Sequence, residues 1–294
     1  MQEIINRAKA LLADGTVVRV LAWKAGDLGC NVEPAFFNSE EELDNLVYKE
    51  YCGANLSKYM IEAGKQEGKT LVFLKPCDTY SYNQLIKEHR VDREKAYIIG
   101  IGCDGKLDID EKLNNNKEVT LEKCLTCKGK EHKVYDELLM PNEENTKGEQ
   151  DRFALVAELE AMSPQERFAF WQKELSNCIR CNACRNVCPA CSCRKCVFDS
   201  DKFDTAQKAN TDTFEEQMFH IIRAFHVAGR CTDCGECSRV CPQGIPIHLL
   251  NRKFIKDINM FYGEYQAGED TDSKGPLTNF TFDDVEPSIV GERG

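Results

Sequence analysis

The chain has 294 residues, enough for two domains, and its 42% hydrophobic content is ordinary for a globular protein. Its formal net charge of -11 argues against a nucleic-acid partner, because binding to phosphates needs a basic surface. Neither end shows a secretory signal, no apolar stretch approaches the roughly 18 residues of a membrane span, and 17 cysteines without such a signal fit a reducing compartment. We therefore expect a cytoplasmic protein with no membrane span.

Strands and helices are predicted to alternate through the first 110 or so residues. In chain order the predicted elements are a helix at 4–12, a strand at 17–23, helices from Ser39 and over 55–63, a strand at 71–74, a helix at 82–89 and a strand at 96–101. The last two strands are short continuous apolar runs, as expected of strands buried on both faces. This order predicts an α/β layer, which binds ligands at the carboxyl ends of its strands.

Two of these strands end just before a cysteine. Cys77 follows the strand at 71–74 and Cys103 follows the strand at 96–101, so both thiols are expected at one edge of the sheet. A CxxC pair, Cys124 and Cys127, comes shortly afterwards, and four thiolates there would ligate a third 4Fe-4S cluster. The alternative is that the first two cysteines are small buried apolar residues and that the pair binds zinc.

Helices and a polar linker are predicted beyond residue 128. The stretch from about 128 to 151 is polar and has the composition of a linker. Ser163, followed by Pro164 and Glu166, is a strong helix start, and we expect an apolar face just before the first cysteine run. That face consists of Phe168, Trp171 and Leu175. Further helices are predicted from Thr213 to near Gly229 and over 245–261. The acidic tail from residue 263 is predicted to be either disordered or an extended arm that lies on a neighbouring surface.

Two copies of one cysteine spacing, CxxCxxCxxxCP, dominate the second half. In this bacterial ferredoxin run the first three thiolates hold one 4Fe-4S cluster, and the fourth ligates the other cluster. The predicted ligands are therefore Cys178, Cys181, Cys184 and Cys241 for one cluster, and Cys231, Cys234, Cys237 and Cys188 for the second. A structural zinc site needs only four ligands and does not account for this crossed pattern of eight.

Three more cysteines, Cys191, Cys193 and Cys196, directly follow the first run. We expect them to complete a further metal site with a distant ligand such as Cys30 or Cys52, or to replace a ligand in the crossed assignment. His220 and His226 are interpreted as packing or solvated positions on the helix before the second run.

Together these motifs resemble the beta subunits of coenzyme F(420)-reducing hydrogenases and formate dehydrogenases, a family of iron-sulfur flavoproteins. The resemblance rests on Lys75-Pro76-Cys77-Asp78, Gly100-Ile101-Gly102-Cys103, Cys124-Leu125-Thr126-Cys127 and the two runs. With the predicted elements, it implies an α/β flavin-type domain followed by a mainly helical dicluster ferredoxin-like domain. The expected limits are 1-150 for the flavin and cluster domain with its linker, 151-264 for the helical domain and 265-294 for the tail.

The resemblance also implies FAD and a third 4Fe-4S cluster at the cysteines of the sheet edge. The best loop-to-helix candidate for the flavin phosphates contains Gly53, Asn55, Ser57 and Lys58, where free amides would favour an anion, with Lys75 as a further candidate. An ordinary capped helix is the alternative reading of this loop. The chain has no GxGxxG fingerprint after a strand, so NAD binding is unsupported.

We therefore predict an electron-transfer subunit of a multi-subunit cytoplasmic oxidoreductase, with catalytic and electron-transfer subunits as partners. The catalytic partner would be a hydrogenase, a formate dehydrogenase or a heterodisulfide-reductase-like complex. One alternative is a flavin-free dicluster module whose α/β domain serves only for docking. Another is a structural adaptor that carries zinc.

Overall fold

The computed structural model describes residues 1–27, 30–129, 131–140, 148, 150–199 and 213–278. The N-terminal half forms one mixed sheet whose strands are β1 (Arg19–Ala25), β2 (Val32–Phe37), β3 (Leu46–Val47), β4 (Thr70–Leu74), β5 (Ala96–Ile101) and β6 (Glu137–Leu139). The strand order is β2-β1-β4-β5-β6; β1, β4, β5 and β6 run parallel, while β2 and β3 pair antiparallel with β1. Within the stretch 128–151 predicted as a linker, residues 137–139 form β6 and so belong to the sheet, because they pair in parallel with β5. Residues 130, 141–147 and 149 of that stretch, and 279–294 of the tail, lie outside the described residues.

The predicted strands at 17–23, 71–74 and 96–101 are confirmed as β1, β4 and β5. Every residue of β4 is buried, as expected for a central parallel strand with both faces covered. β2 was not predicted, because its residues are mostly half-buried or exposed and lack a continuous apolar run. Its antiparallel partner β1 defines it instead.

The helices of this half are α1 (Gln2–Ala13), α2 (Met60–Ala63), α3 (Pro76–Lys87), α4 (Ile109–Asn115) and α5 (Glu122–Leu125). The helix predicted from Ser39 is only a 3-10 turn, Glu42–Asn45, because the next residues pair with β1 as β3. The helix predicted over 55–63 is likewise a 3-10 turn, Ser57–Tyr59, followed by the single turn of α2.

The helix after β4 begins earlier than the predicted 82–89. Pro76 occupies its first turn, where a missing N–H costs nothing, and the Asp78 carboxylate accepts from the backbone N–H of Lys75 at 3.4 Å. Cys77 therefore lies in the first turn of α3 and is held by a helix rather than by a loop.

The described elements of the second half are α6 (Ala154–Ala161), α7 (Pro164–Ser176), α8 (Ala183–Val187), α9 (Thr213–Val227), α10 (Glu236–Arg239) and α11 (His248–Tyr262) with two short 3-10 turns, Val197–Asp199 and Pro276–Thr278. The capping box before α7 is confirmed, since the Glu166 N–H donates to Ser163 Oγ at 3.3 Å and the Ser163 N–H donates to Glu166 at 2.8 Å. Phe168 is 60% exposed, so the predicted apolar face of α7 does not include it. None of the described helices is long and apolar enough to cross a membrane.

Candidate metal centres

The sheet-edge site consists of Cys77, Cys103, Cys124 and Cys127. Because β4 and β5 are adjacent and parallel, their carboxyl ends deliver the first two cysteines to one edge. Burial raises the pKa of the Cys77 thiol well above its usual value, and Cys103 adds to the rise. Burial also raises the pKa of the Cys124 thiol, and both Cys103 and Cys127 contribute. The four thiols are thus electrostatic neighbours, although they come from three separate segments.

Three buried lysines surround the sheet-edge site. Lys75 is 1% exposed, forms an ion pair with Asp78 at 2.8 Å and lies over the Trp23 ring. Burial lowers the pKa of Lys106, which donates to the Lys49 carbonyl at 3.2 Å. The third lysine, Lys123, immediately precedes the CxxC pair. Lys75 and Lys123 already pair with Asp78 and Glu236, but no carboxylate among the described residues forms an ion pair with Lys106. This buried cation fits an anionic cluster, since buried charges need compensation.

The two runs share one backbone conformation. In the first run Arg180 and Asn182 have φ of 55° and 61°, and in the second Asp233 and Gly235, at the same positions, have φ of 57° and 67°. Left-handed residues at these positions give both runs the same turn, in which the backbone N–H of Arg180 bonds to Cys178 and that of Asp233 bonds to Cys231. The tight turns predicted from the spacing are therefore present in both copies.

The fourth cysteine of each run lies with the other run. A small cavity is lined by four thiols, and we call it the first-run site: Cys178, Cys181, Cys184 and Cys241. Cys188 packs against Cys231 and Val227 instead. Burial raises the pKa of the Cys234 thiol to about 11, and Cys188 is the next largest cause. The second-run site is the corresponding set: Cys231, Cys234, Cys237 and Cys188.

A buried carboxylate connects the second-run site to the sheet-edge site. Glu236, between Cys234 and Cys237, is 0% exposed and pairs with Lys123 beside Cys124. Burial lowers the pKa of the Lys123 ammonium, but the Glu236 carboxylate outweighs burial and the net shift is upward. Likewise, burial raises the pKa of Glu236, whereas Lys123 and Arg239 lower it by more. The pair is therefore ionised and holds the two sites together.

Arg252 makes a second connection between the same two sites. Its guanidinium donates to Asp233 of the second run at 2.8 Å, to Glu122 at 3.0 Å and to Thr126 of the CxxC pair at 2.7 Å. Burial raises the pKa of Glu122, but His248 and Arg252 lower it by a larger amount, and the resulting pKa is about 2. Neither this arginine nor Glu236 was singled out from the sequence, because only the fold brings their partners within reach.

The inner face of α9 lies against the first-run site. His220 is 1% exposed, and its Nε2 lies 3.3 Å from Cys178 Sγ. The ligand atoms of three side chains lie within 4.8 Å of one another: His220, Cys178 and Glu216. Glu216 also forms an ion pair with Arg180 at 3.1 Å. The interpretation of His220 as a packing position therefore missed its contact with a cysteine of the run. Its helical spacing gave no sign of that contact.

A cleft of about 1390 Å³ lies between the sheet and the second half of the chain. Its described lining includes nine lysine and arginine residues against four acidic residues, a basic excess in a chain of net charge -11. Arg90 contributes a buried Nε that has no hydrogen-bond partner among the described residues. Such a surface suits an anionic ligand.

The five residues predicted for flavin phosphates have different surroundings. Lys58 lines the cleft and donates to the Cys191 carbonyl. Asn55 and Ser57 are buried: the Asn55 N–H donates to Glu236 at 3.1 Å, and the Ser57 N–H to the Asn55 side chain at 2.9 Å. The Gly53 carbonyl accepts from Lys123. With Lys75 engaged at the sheet-edge site, only Lys58 of this set fits a ligand in the cleft.

The three cysteines after the first run line the same cleft: Cys191, Cys193 and Cys196. A side-chain hydrogen bond from Cys191 lowers the pKa of Cys188, which favours Cys188 as the thiolate. Cys52 belongs to the core beneath the sheet, and its Sγ accepts from the Lys49 N–H at 3.2 Å. Cys30 is an electrostatic neighbour of Tyr51: burial raises the pKa of Tyr51, and Cys30 adds to that rise. Cys30 and Cys52 therefore have neighbours elsewhere.

Known proteins match this chain in two ways. The family described as 4Fe-4S dicluster domain matches residues 174–245, the segment that contains both runs. The F(420)-dependent formate dehydrogenase subunit beta of Methanocaldococcus jannaschii is 22% identical over 332 aligned residues, which cover 84% of this chain and 87% of the relative. The F(420)-dependent formate dehydrogenase 1 subunit beta of Methanococcus maripaludis is 24% identical over 360 residues, covering 92% and 91%. The two runs thus form a 4Fe-4S region, and the similarity extends through the sheet.

Proposed function

Because this chain belongs to the family of coenzyme F(420)-reducing hydrogenase and formate dehydrogenase beta subunits, we propose that it transfers electrons between a flavin and 4Fe-4S clusters in a multi-subunit cytoplasmic oxidoreductase. The proposed catalytic partner is a hydrogenase, a formate dehydrogenase or a heterodisulfide-reductase-like complex. Both full-length relatives are named as beta subunits of formate dehydrogenases, which supports a place among other redox subunits.

The exchange of the fourth cysteine between the two runs is the observation that carries this proposal. Cys241 lines the first-run site, and Cys188 packs against Cys231 of the second run. A single zinc ion in each run would have no need of this exchange, whereas two 4Fe-4S clusters in a ferredoxin arrangement do. In each run a backbone N–H, that of Arg180 or of Asp233, bonds to the sulfur of the first cysteine, and such hydrogen bonds help to set reduction potentials.

The sheet-edge site is proposed to hold the third cluster. Lys106, a buried cation without an ion-pair partner among the described residues, would compensate negative charge there, and the buried pair of Lys123 and Glu236 fixes the site against the second-run site. Electrons would then pass from the sheet edge through the second-run site to the first-run site, or in reverse. The chain's own contribution would be to hold the three sites at fixed separations.

The cleft is proposed as the flavin site. FAD, when bound, exchanges two electrons with an organic partner and single electrons with clusters. Lys58 and the unpartnered Nε of Arg90 would bind its phosphates, and the basic lining would favour an anionic cofactor. The buried loop around Asn55 is not part of this site, because its polar groups already bind one another and Glu236.

Iron, sulfide and flavin analysis of the anaerobically purified chain with its partners tests the proposal. Three clusters predict roughly twelve iron atoms per chain, together with one flavin released on denaturation. Zinc with little iron would overturn the proposal in favour of the structural adaptor.

A flavin-free dicluster module is the second candidate function. The internal bonding of Asn55 and Ser57 favours it, because the loop expected to bind phosphates is closed to a ligand. This module predicts roughly eight iron atoms and no flavin. Replacing Lys58 by methionine separates the two functions, since it should weaken flavin retention in the first and leave the iron content unchanged in both.

A further inference from the structure

Arg223 occupies the middle of the face of α9 that packs against the cysteines of both runs. Phe219, one helical turn before it, packs with Cys184 in one apolar cluster. Val227, one turn after it, packs with Cys188 in another. Since residues four apart lie on the same face of a helix, Arg223 lies between the first-run and second-run sites.

The guanidinium of Arg223 is buried and only partly hydrogen-bonded. The residue is 2% exposed, and its Nη2 donates to the Cys184 carbonyl at 3.1 Å. Its Nε and Nη1 have no hydrogen-bond partner among the described residues. Among the residues that the structure describes, no carboxylate forms an ion pair with Arg223. The protein alone therefore leaves a buried cation with two unused N–H donors. A buried cation of this kind requires an anion nearby.

Thiols are the electrostatic neighbours of this cation. Burial lowers the pKa of Arg223, but four cysteines outweigh burial and raise it: Cys188, Cys237, Cys191 and Cys184. They include members of both cluster sites. A 4Fe-4S cluster held by four thiolates is an anion, and one-electron reduction adds a further negative charge to it.

We propose that Arg223 is the shared counter-cation of the two 4Fe-4S clusters, donating its free N–H groups to their sulfur atoms and raising both reduction potentials. This inference rests on the proposed function, because it requires clusters in both runs. Reduction transfers one electron to a cluster and breaks no bond in the chain. Arg223 remains protonated throughout, since the guanidinium does not titrate in proteins.

Potentiometric titration of the anaerobically purified complex, followed by electron paramagnetic resonance, tests the role of Arg223. For Arg223→Met we expect the equilibrium constant for one-electron reduction to fall at least tenfold at both clusters, about 59 mV each. Arg223→Lys retains the charge and should give a smaller fall. Arg7→Met is the matched control: Arg7 lies on α1, outside the cleft and both runs, and Glu137 neutralises it at 2.8 Å, so both potentials should stay unchanged.

Iron content separates failure of this inference from failure of the proposed function. If Arg223→Met retains both clusters with unchanged potentials, the inference is overturned while the proposed function stands. Unchanged potentials accompanied by loss of flavin would also overturn it, because the partner of Arg223 would then be the ligand of the cleft. If Arg223→Met loses iron, Arg223→Gln is measured instead, because glutamine keeps two N–H donors without the charge. We again expect both reduction potentials to fall. A wild-type complex without 4Fe-4S signals would refute the proposed function itself.

Discussion

The sheet-edge site and the two runs assemble their cysteines by opposite routes. In each run three cysteines lie within seven residues of sequence, and local turns at Arg180 and Asp233 aim them at one centre. At the sheet edge the pairing of β4 with β5 brings Cys77 and Cys103 together from separate segments, and α5 supplies Cys124 from a third. Local backbone turns therefore position three ligands of each run, whereas the ligands of the sheet-edge site are positioned only when the sheet is folded.

The largest expected effect comes from removing one ligand of the sheet-edge site. Cys103→Ser should abolish the third cluster and lower the iron content from roughly twelve to roughly eight atoms per chain, with both run clusters retained. Iron analysis and electron paramagnetic resonance of the anaerobic protein measure this. Cys30→Ser is the control, since Cys30 lies outside all three sites. Full iron content in Cys103→Ser would remove Cys103 from the ligand set.

Cys188→Ser tests the assignment of the fourth cysteine of each run to the cluster of the other run. Although Cys188 belongs to the first run by sequence, its replacement should disturb the second-run cluster more than the first, because Cys188 packs against Cys231. Spectra of the separately reduced clusters distinguish the two outcomes. Cys193→Ser, an exposed position in the same segment, should leave both clusters intact. Loss of the first-run cluster in Cys188→Ser would contradict the exchange of the fourth cysteine.

A smaller effect is expected at the connection between the two kinds of site. Glu236→Gln leaves Lys123 buried without its carboxylate, and removing one partner of a buried pair costs about 3–5 kcal/mol of unfolding free energy. Glu62→Gln, whose pair with Lys65 is exposed, should cost no more than about 1 kcal/mol. Denaturant unfolding under anaerobic conditions compares them. Equal losses would mean that Glu236 does not tie the sites together.

The smallest effect is expected where the sequence signal is entirely local. Ser163→Ala removes the N-cap of α7, the helix before the first run, and should lower the unfolding free energy by about 1 kcal/mol. The iron content should stay unchanged. Ser176→Ala, at the other end of α7, removes only a bond to the Lys173 carbonyl and should have less effect. An effect of Ser163→Ala on cluster spectra would show that the helix start positions the run.

Local patterns predicted much of this molecule. The parallel strands β4 and β5 followed from short apolar runs, the start of α7 from its capping box, and the turns of both runs from cysteine spacing. Strand pairing overrode local preference after Ser39, where the expected helix gave way to β3. Long-range pairing leaves no periodic signal, so it could not be foreseen.

The sequence by itself determined which residues carry the chemistry: eight cysteines in two runs, and four more after strand ends and in a CxxC pair. Those assignments depend on spacing along the chain, which a sequence records directly. Only the tertiary structure decided what surrounds them, namely Glu236 beside Lys123, His220 beside Cys178 and Arg223 between the two runs. Buried charges acquire a role only through partners distant in sequence, and packing chooses those partners.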